Sequence, residues 1–410
     1  MKASWSKISV TFFFTIALLG SIMRIAPFSD IFLNYEHLLH AHSHVAFQGW
    51  IYTALFILIC KLYLTDELLK TGKYKLQFYL TLVTILGIMI AFIVEGYALF
   101  SILFSSLFQL LNYWFTYRFF KDVKKSELAK KHQFSLKFIK VGMLLMVLST
   151  FGPWTVGILS AKGFAGSEYF NAALYFFLHF QYNGWFTFAI LGLFFWLLEH
   201  YKISFKQKGA NLFYVLFTAA VIPAYALSLL GMSFRSSIVV FGYIGATLQM
   251  GALYFLIQSL RNSFKPISQS FNKMTVILLQ LVFTAFILKV ILQFASAFPL
   301  FQKLAFENRF LIIDFIHLIM IGFMSFFILA ILFQLSYLKS NSILSKTGVI
   351  SLIIGFISSE VILLALGLSI PFLANLFVLL IASTLMAIGI LLILIGQHFD
   401  KQKMTKTEKN

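Results

Sequence analysis

The sequence predicts an all-α protein, a polytopic bundle of about twelve transmembrane helices forming one domain over 1–410, with both termini cytoplasmic. Three observations carry that prediction. Of 410 residues, 60% are hydrophobic and 11% charged, with a mean hydropathy of +0.90, more apolar surface than a water-soluble domain needs. The apolar residues fall in runs of roughly 20, the length of helix that crosses a bilayer. The basic residues between those runs fall almost entirely on alternate connections.

The first run, 8–28, follows Lys2 and Lys7 like a signal anchor. No small-residue cleavage site follows it, so it counts as the first helix. The second, 38–60, opens in the histidine-rich string NYEHLLHAHSHVAFQGW. The runs 76–95 and 97–118 are separated only by the Glu95-Gly96 turn region. After a basic loop at 118–137 come 138–160, 169–198, 210–230 and 236–259, the last two joined by the short turn GMSFRSS. The remaining runs are 274–297, 309–337, 347–369 and 373–397, followed by a basic tail, 398–410. Neither the 118–137 loop nor the tail reads as a separate domain.

Alternating sides from a cytoplasmic N-terminus puts 26 Lys and Arg residues inside and five outside (Arg24, Lys162, Arg235, Lys303 and Arg309), with Lys289 inside a span. That asymmetry is the positive-inside rule of a multi-pass protein with cytoplasmic termini, and the expected location is a bacterial inner membrane. The net charge of +18 therefore reports topology and anionic-lipid contact. Nucleic acid is not an expected partner, because no phosphate loop, zinc knuckle or RNA-binding aromatic motif accompanies the charge. The single cysteine, Cys60, excludes a disulfide framework and a thiolate cluster.

Four of the nine histidines, His37, His40, His42 and His44, lie within eight residues at the start of the second run. Histidine is costly in a bilayer unless something binds it, and neutral imidazole is a common ligand for haem iron and copper. His179 and His317 lie in the sixth and tenth runs, at depths that agree with the cluster to within about 6 Å at ~1.5 Å per residue. His132, His200 and His398 fall in or beside cytoplasmic loops and read as solvated. At about 100° per residue, His37, His40 and His44 share one helix face and His42 points nearly opposite. The layout predicts metal ligands at His42, His44, His179 and His317, and haem contacts at His40 and Arg235 as well. The competing reading puts His37 and His40 at the interface, hydrogen-bonded to Glu36 or water. It satisfies the others through neighbouring helices.

Histidines on spans two, six and ten of twelve resemble subunit I of the haem–copper oxidase superfamily, nitric oxide reductases included. AHSHVAFQGW is similar to the His-x-His helix segment of that superfamily. HFQYNGW, with Asn183 four residues after His179, resembles the copper-ligand helix of nitric oxide reductases, where an acid occupies that position. LLHAHSHVAFQGW and FIHLIMIGFMSFFILA resemble the two histidine segments of the NnrS family, twelve-span haem–copper proteins of the nitric oxide response. The resemblance implies haem, with copper as a second cofactor. It implies nitric oxide or oxygen as substrate, and an electron donor it does not name. The chain departs from the pattern in three places: span seven, NLFYVLFTAAVIPAYALSLL, has no histidine pair, Asn183 replaces the acid, and span ten carries one histidine. The implied copper site is therefore incomplete, and enzymatic activity of the oxidase type is left open.

Other intramembrane polar residues fit supporting roles. Asp314, three residues before His317, can accept its second N–H, or serve as an interfacial acid near Arg309. Arg235 suits haem propionates or a solvated turn. Lys289 and Glu360 either neutralise one another or belong to a proton path. Trp50, Gln181 and Trp185 read as packing. Two other functions stay open: a proton-coupled secondary transporter using buried His, Lys and Glu, and a receptor or assembly factor holding metal in transit.

Overall fold

The computed structural model describes residues 4–29, 34–233, 237–371 and 375–399. The secondary structure among these residues is entirely helical. The long helices are α1 Ser4–Ile25, α2 Tyr35–Tyr63, α3 Tyr74–Glu95, α4 Leu99–Asp122, α5 Gln133–Ala161 and α6, 168–200. They continue with α7 Gln207–Val221, α8 Ser237–Leu260, α9 Lys273–Ser296, α10 Arg309–Gln334, α11 Ile343–Gly367 and α12 Leu376–Phe399.

Among the described residues, ten helices are long and apolar enough to cross a membrane, or eleven if α7 and the 3-10 helix Pro223–Leu229, bent by 45°, form one span. The expected count of twelve is not reached on those criteria. The run that falls outside is α6, which is helical from end to end but carries His179, Gln181 and Asn183 at its middle. Outward faces are rich in bare aliphatic side chains, such as Val94 at 74% and Val83 at 61% exposure. In water such a surface would aggregate, and in a bilayer it faces lipid. This is the build of a multi-pass membrane protein.

The runs predicted at 76–95 and 97–118 are indeed two helices. Gly96, at φ +65°, turns the chain between them, and the Glu95 carboxylate accepts from the Ser101 N–H at 2.9 Å. A side chain at Gly96 would be strained by that φ and would also meet His37 Nε2 at 2.6 Å.

Three helices make up the interior. The apolar stretches of α2 and α10 are 83% and 72% buried, against 33% for α4 and α8, and every residue of α6 from Thr187 to Leu198 is buried. All three begin at a side-chain cap that takes up orphan N–H groups. Asn34 accepts from His37 N, Ser167 from Phe170 N, and Asn308 from Phe310 N and Leu311 N.

All three then widen into a π-helical turn immediately after a histidine. The turns are Val45–Tyr52 after His44, Phe180–Phe186 after His179 and Leu318–Ser325 after His317. Each has glycine five residues after the histidine and an aromatic after that: Gly49-Trp50, Gly184-Trp185 and Gly322-Phe323. The glycines let neighbours close in. An added Cβ would meet Phe12 of α1 at 3.0 Å, Leu145 of α5 at 3.0 Å and Phe356 of α11 at 2.7 Å. A hydroxyl takes up a carbonyl of each widened turn: Thr53 on Gly49, Thr187 on Tyr182 and Ser325 on Met320.

Gly96→Ala should lower stability by about 1–3 kcal/mol, the usual penalty for a residue forced into a glycine-only conformation. Gly157, a helical glycine with nothing within 4 Å of an added Cβ, should accept alanine without loss. Thermal unfolding of the two variants in detergent measures the difference, and equal melting temperatures would contradict the assignment.

Candidate functional site

The histidine cluster divides between two faces of α2, as the spacing predicts. His37 Nδ1 lies 3.3 Å from the Ile93 carbonyl at the end of α3, and His40 Nε2 lies 3.6 Å from Glu36. His44 stacks on Phe92, with centroids 4.3 Å apart, and its Nε2 is 3.4 Å from the Tyr97 hydroxyl. His42 faces α1 instead. Its Nδ1 is 3.0 Å from the Ile16 carbonyl, and its ring packs so closely on Gly20 that an added Cβ would approach Cε1 to 3.1 Å. A carbonyl only accepts, so His42 carries its proton on Nδ1 and keeps Nε2 as a free lone pair.

His42 opens onto a cluster contributed by α1, α10 and α11. Arg24 lies within electrostatic range of His42, His317 and Glu360, and His42 within range of His317. His317 Nδ1 is 4.0 Å from Glu360 Oε1, too far for a hydrogen bond. Those two atoms and Asp314 Oδ1 are buried without a protein partner. Above them Arg309 donates to the Tyr35 hydroxyl at 2.9 Å and lies over its ring, tying the N-terminal ends of α10 and α2. Of the two roles open to Asp314, acceptor for the His317 N–H or interfacial acid, the first is not seen. Glu360, reaching across from α11, is instead the acid beside the ring, and Asp314 acts on it only through its charge.

His179 belongs to a separate network. Beyond Val221 the chain tightens into the 3-10 helix Pro223–Leu229, where the Tyr225 N–H bonds the Ile222 carbonyl and leaves that of Val221 open, and His179 Nε2 donates to it at 2.8 Å. Asn183, one turn along, donates to Nδ1 at 3.2 Å. Both ring nitrogens are engaged, so His179 has no lone pair for a metal in this arrangement. Asn183 Oδ1 accepts from Gln293 Nε2 at 3.4 Å, and Lys289 Nζ donates to Gln293 Oε1 at 2.8 Å. Lys289 and Glu360 therefore do not neutralise one another, because they lie in different clusters. Nor does His44 face His179, since its partners are on α3 and the turn beyond it.

The structure thus brings His42, His317, Asp314 and Glu360 together, links His179, Asn183 and Lys289, and leaves His40 and His44 against Phe92 and Tyr97. Among the described residues no three His, Cys, Asp or Glu side chains converge to hold a metal ion. Arg235, the tail from residue 400 on and the side chain of His398 lie outside the described residues. Trp50 donates to Ser325 Oγ at 2.8 Å and Gln181 to Ser149 at 3.1 Å, while Trp185 Nε1 is buried without a partner. His132 is buried beside Glu199 at 3.6 Å and is not solvated. The chain matches no protein-family model, and no curated protein matches it.

Arg24 and Gln293 were not anticipated as members. Arg24 lies within the 8–28 run and counts there only as an outside charge, whereas its position one turn beyond Gly20 puts it on the face that meets His42. Gln293 is four residues after Lys289, a helical spacing that points one side chain at the other.

Gln293→Leu leaves the fully buried Lys289 without its acceptor and should cost about 1–3 kcal/mol. Lys289→Met removes the charge together with the need for a partner, and in the Gln293→Leu background should recover most of that loss. Denaturation of the four proteins of this cycle in detergent reads the coupling directly.

Proposed function

We propose that this chain is a haem-binding integral protein of the bacterial inner membrane, acting in the nitric oxide response or in respiratory redox chemistry. Counting α6 and the bent α7 as spans gives twelve, and the excess of basic residues on alternate connections supports cytoplasmic termini. The observation that supports haem is the pairing of His42 on α2 with His317 on α10. His42 offers Nε2, and His317 has an unclaimed Nδ1. Those two imidazoles would be the residues to hold a haem iron. It does not fit copper, which would need a third histidine, and both nitrogens of His179 are engaged.

A haem held by both rings would supply one-electron transfer, and only one held by a single ring would leave a position for a diatomic gas. The protein's own residues set the terms. The Ile16 carbonyl fixes the tautomer and orientation of His42, as such partners do for imidazole ligands. Gly20 leaves room for that ring, Glu360 flanks His317, and Arg24 brings positive charge that suits carboxylate groups of a bound cofactor.

A second reading, a proton-coupled transporter, is favoured by one observation. Asp314, His317 and Glu360 bury polar atoms without partners in one place, as carriers do where a proton or substrate binds.

Purified protein should show a Soret band. His42→Ala and His317→Ala should each lower haem content by about tenfold, since alanine cannot ligate iron, while His132→Ala should leave it unchanged. Colourless wild-type protein, or full haem in both variants, would favour the carrier. For the orientation, a periplasm-dependent reporter fused after residue 130 should be silent and one within 160–168 active. The reverse pattern would refute it.

A further inference from the structure

A second polar feature, away from both histidine networks, runs along α4. Its buried face is not apolar: Ser101, Gln109, Asn112, Thr116 and Asp122 alternate there with Phe108, Phe115 and Phe119. On α2, Gln48 and Tyr52 continue the face of His44 and are 4% and 3% exposed. On α3, Gln77 sits one turn beyond Tyr74 and is 1% exposed. Most of these groups do not pair with one another. Gln48 Oε1, Tyr52 Oη, both amide atoms of Gln77, Ser105 Oγ, Asn112 Oδ1, Thr116 Oγ1 and Arg118 Nε are all buried with no partner in the protein. Each orphan costs about 1–3 kcal/mol. Eight of them together would consume a stability of the usual ~5–15 kcal/mol. The membrane offers no lipid group that could relieve them.

At the Gln48 end of this line there is room for one such partner. A void of about 10 Å³ lies among Gln48, Tyr52, Gln109 and Gln181, walled by Phe47, Phe108, Phe177 and Phe186, and that volume seats one water molecule. At the other end of α4 the line meets charge. Asp122 is held by Arg118 at 3.2 Å and by the Tyr74 hydroxyl at 3.1 Å, next to the basic loop. We propose that α2, α3, α4 and α6 enclose a file of internal water that exchanges with bulk solvent at the Asp122 end and reaches the chamber beside Gln48 and Gln181. Its ligand is water, bound by amides and hydroxyls at helical intervals, with the phenylalanines restricting it to single file. It does not depend on whether the chain holds a haem.

The test is radiolytic hydroxyl labelling of the full-length protein in nanodiscs, after millisecond mixing into ¹⁸O water. Tyr52 and Phe108 should be labelled about tenfold faster than Phe138 and Phe188, which are as deeply buried but lie in an all-aromatic layer. Asn112→Leu, which fills the file, should cut labelling at Tyr52 about tenfold, and the isosteric Thr116→Val, which removes one hydroxyl and keeps the packing, about threefold. If Asn112→Leu fails to purify as a monodisperse protein, Thr116→Val decides. Protection of Tyr52 and Phe108 equal to that of Phe138 and Phe188 would overturn the file. So would labelling that a folded variant leaves unchanged.

Discussion

A helix that widens by one residue frees a carbonyl, and inside a bilayer there is no water at the helix surface to take it up. This bundle meets that constraint three times, on α2, α6 and α10, and each time with a hydroxyl from the end of the widened turn or just beyond it. Thr53, Thr187 and Ser325 are therefore more than small packing residues. Without them the turns after His44, His179 and His317 would carry unsatisfied backbone where the bundle is most buried. The widened turns in turn set where the histidine rings point.

The three histidines also share a direction. His44 turns to the end of α3, His179 to the broken end of α7 and His317 to Glu360 of α11. In each set of four consecutive helices, the histidine of the second meets the third. What it meets differs, and so does the chemistry. Aromatic rings bury His44, a backbone carbonyl and an amide saturate His179, and a distant carboxylate leaves His317 short of partners. The third arrangement, with His42 and Arg24 beside it, gathers unused donor and acceptor capacity from several side chains in one place.

Much of this was legible in the sequence. Apolar run length marked the helices, and the i, i+4 spacing separated His42 from His37, His40 and His44. The sequence also carried the recurrence of histidine, four residues, glycine and aromatic, although hydropathy reading passes over it because all three copies lie inside apolar runs. Which acid approaches His317 was not legible. Asp314 is near in sequence and Glu360 is near in space, and only the packing of α10 on α11 decides between them. The fate of His179 was hidden for a similar reason. Its partner is the Val221 main-chain carbonyl, left open where α7 tightens into a 3-10 turn, and no side chain announces it. α6 reads as a span by run length yet dilutes its own hydropathy with His179, Gln181 and Asn183.

The indole of Trp50 and the hydroxyl of Ser325 join two of these turns directly. Ser325 spends its only proton on the Met320 carbonyl, so it can only accept from Trp50, and the hydrogen bond has one permitted polarity. Sliding α2 along α10 by a single residue, a rise of ~1.5 Å, would break the contact and pull Trp50 off the Phe13 ring stacked on it at 4.6 Å. The contact thus acts as a register pin, tying the widened turns of α2 and α10 to one another at a single offset.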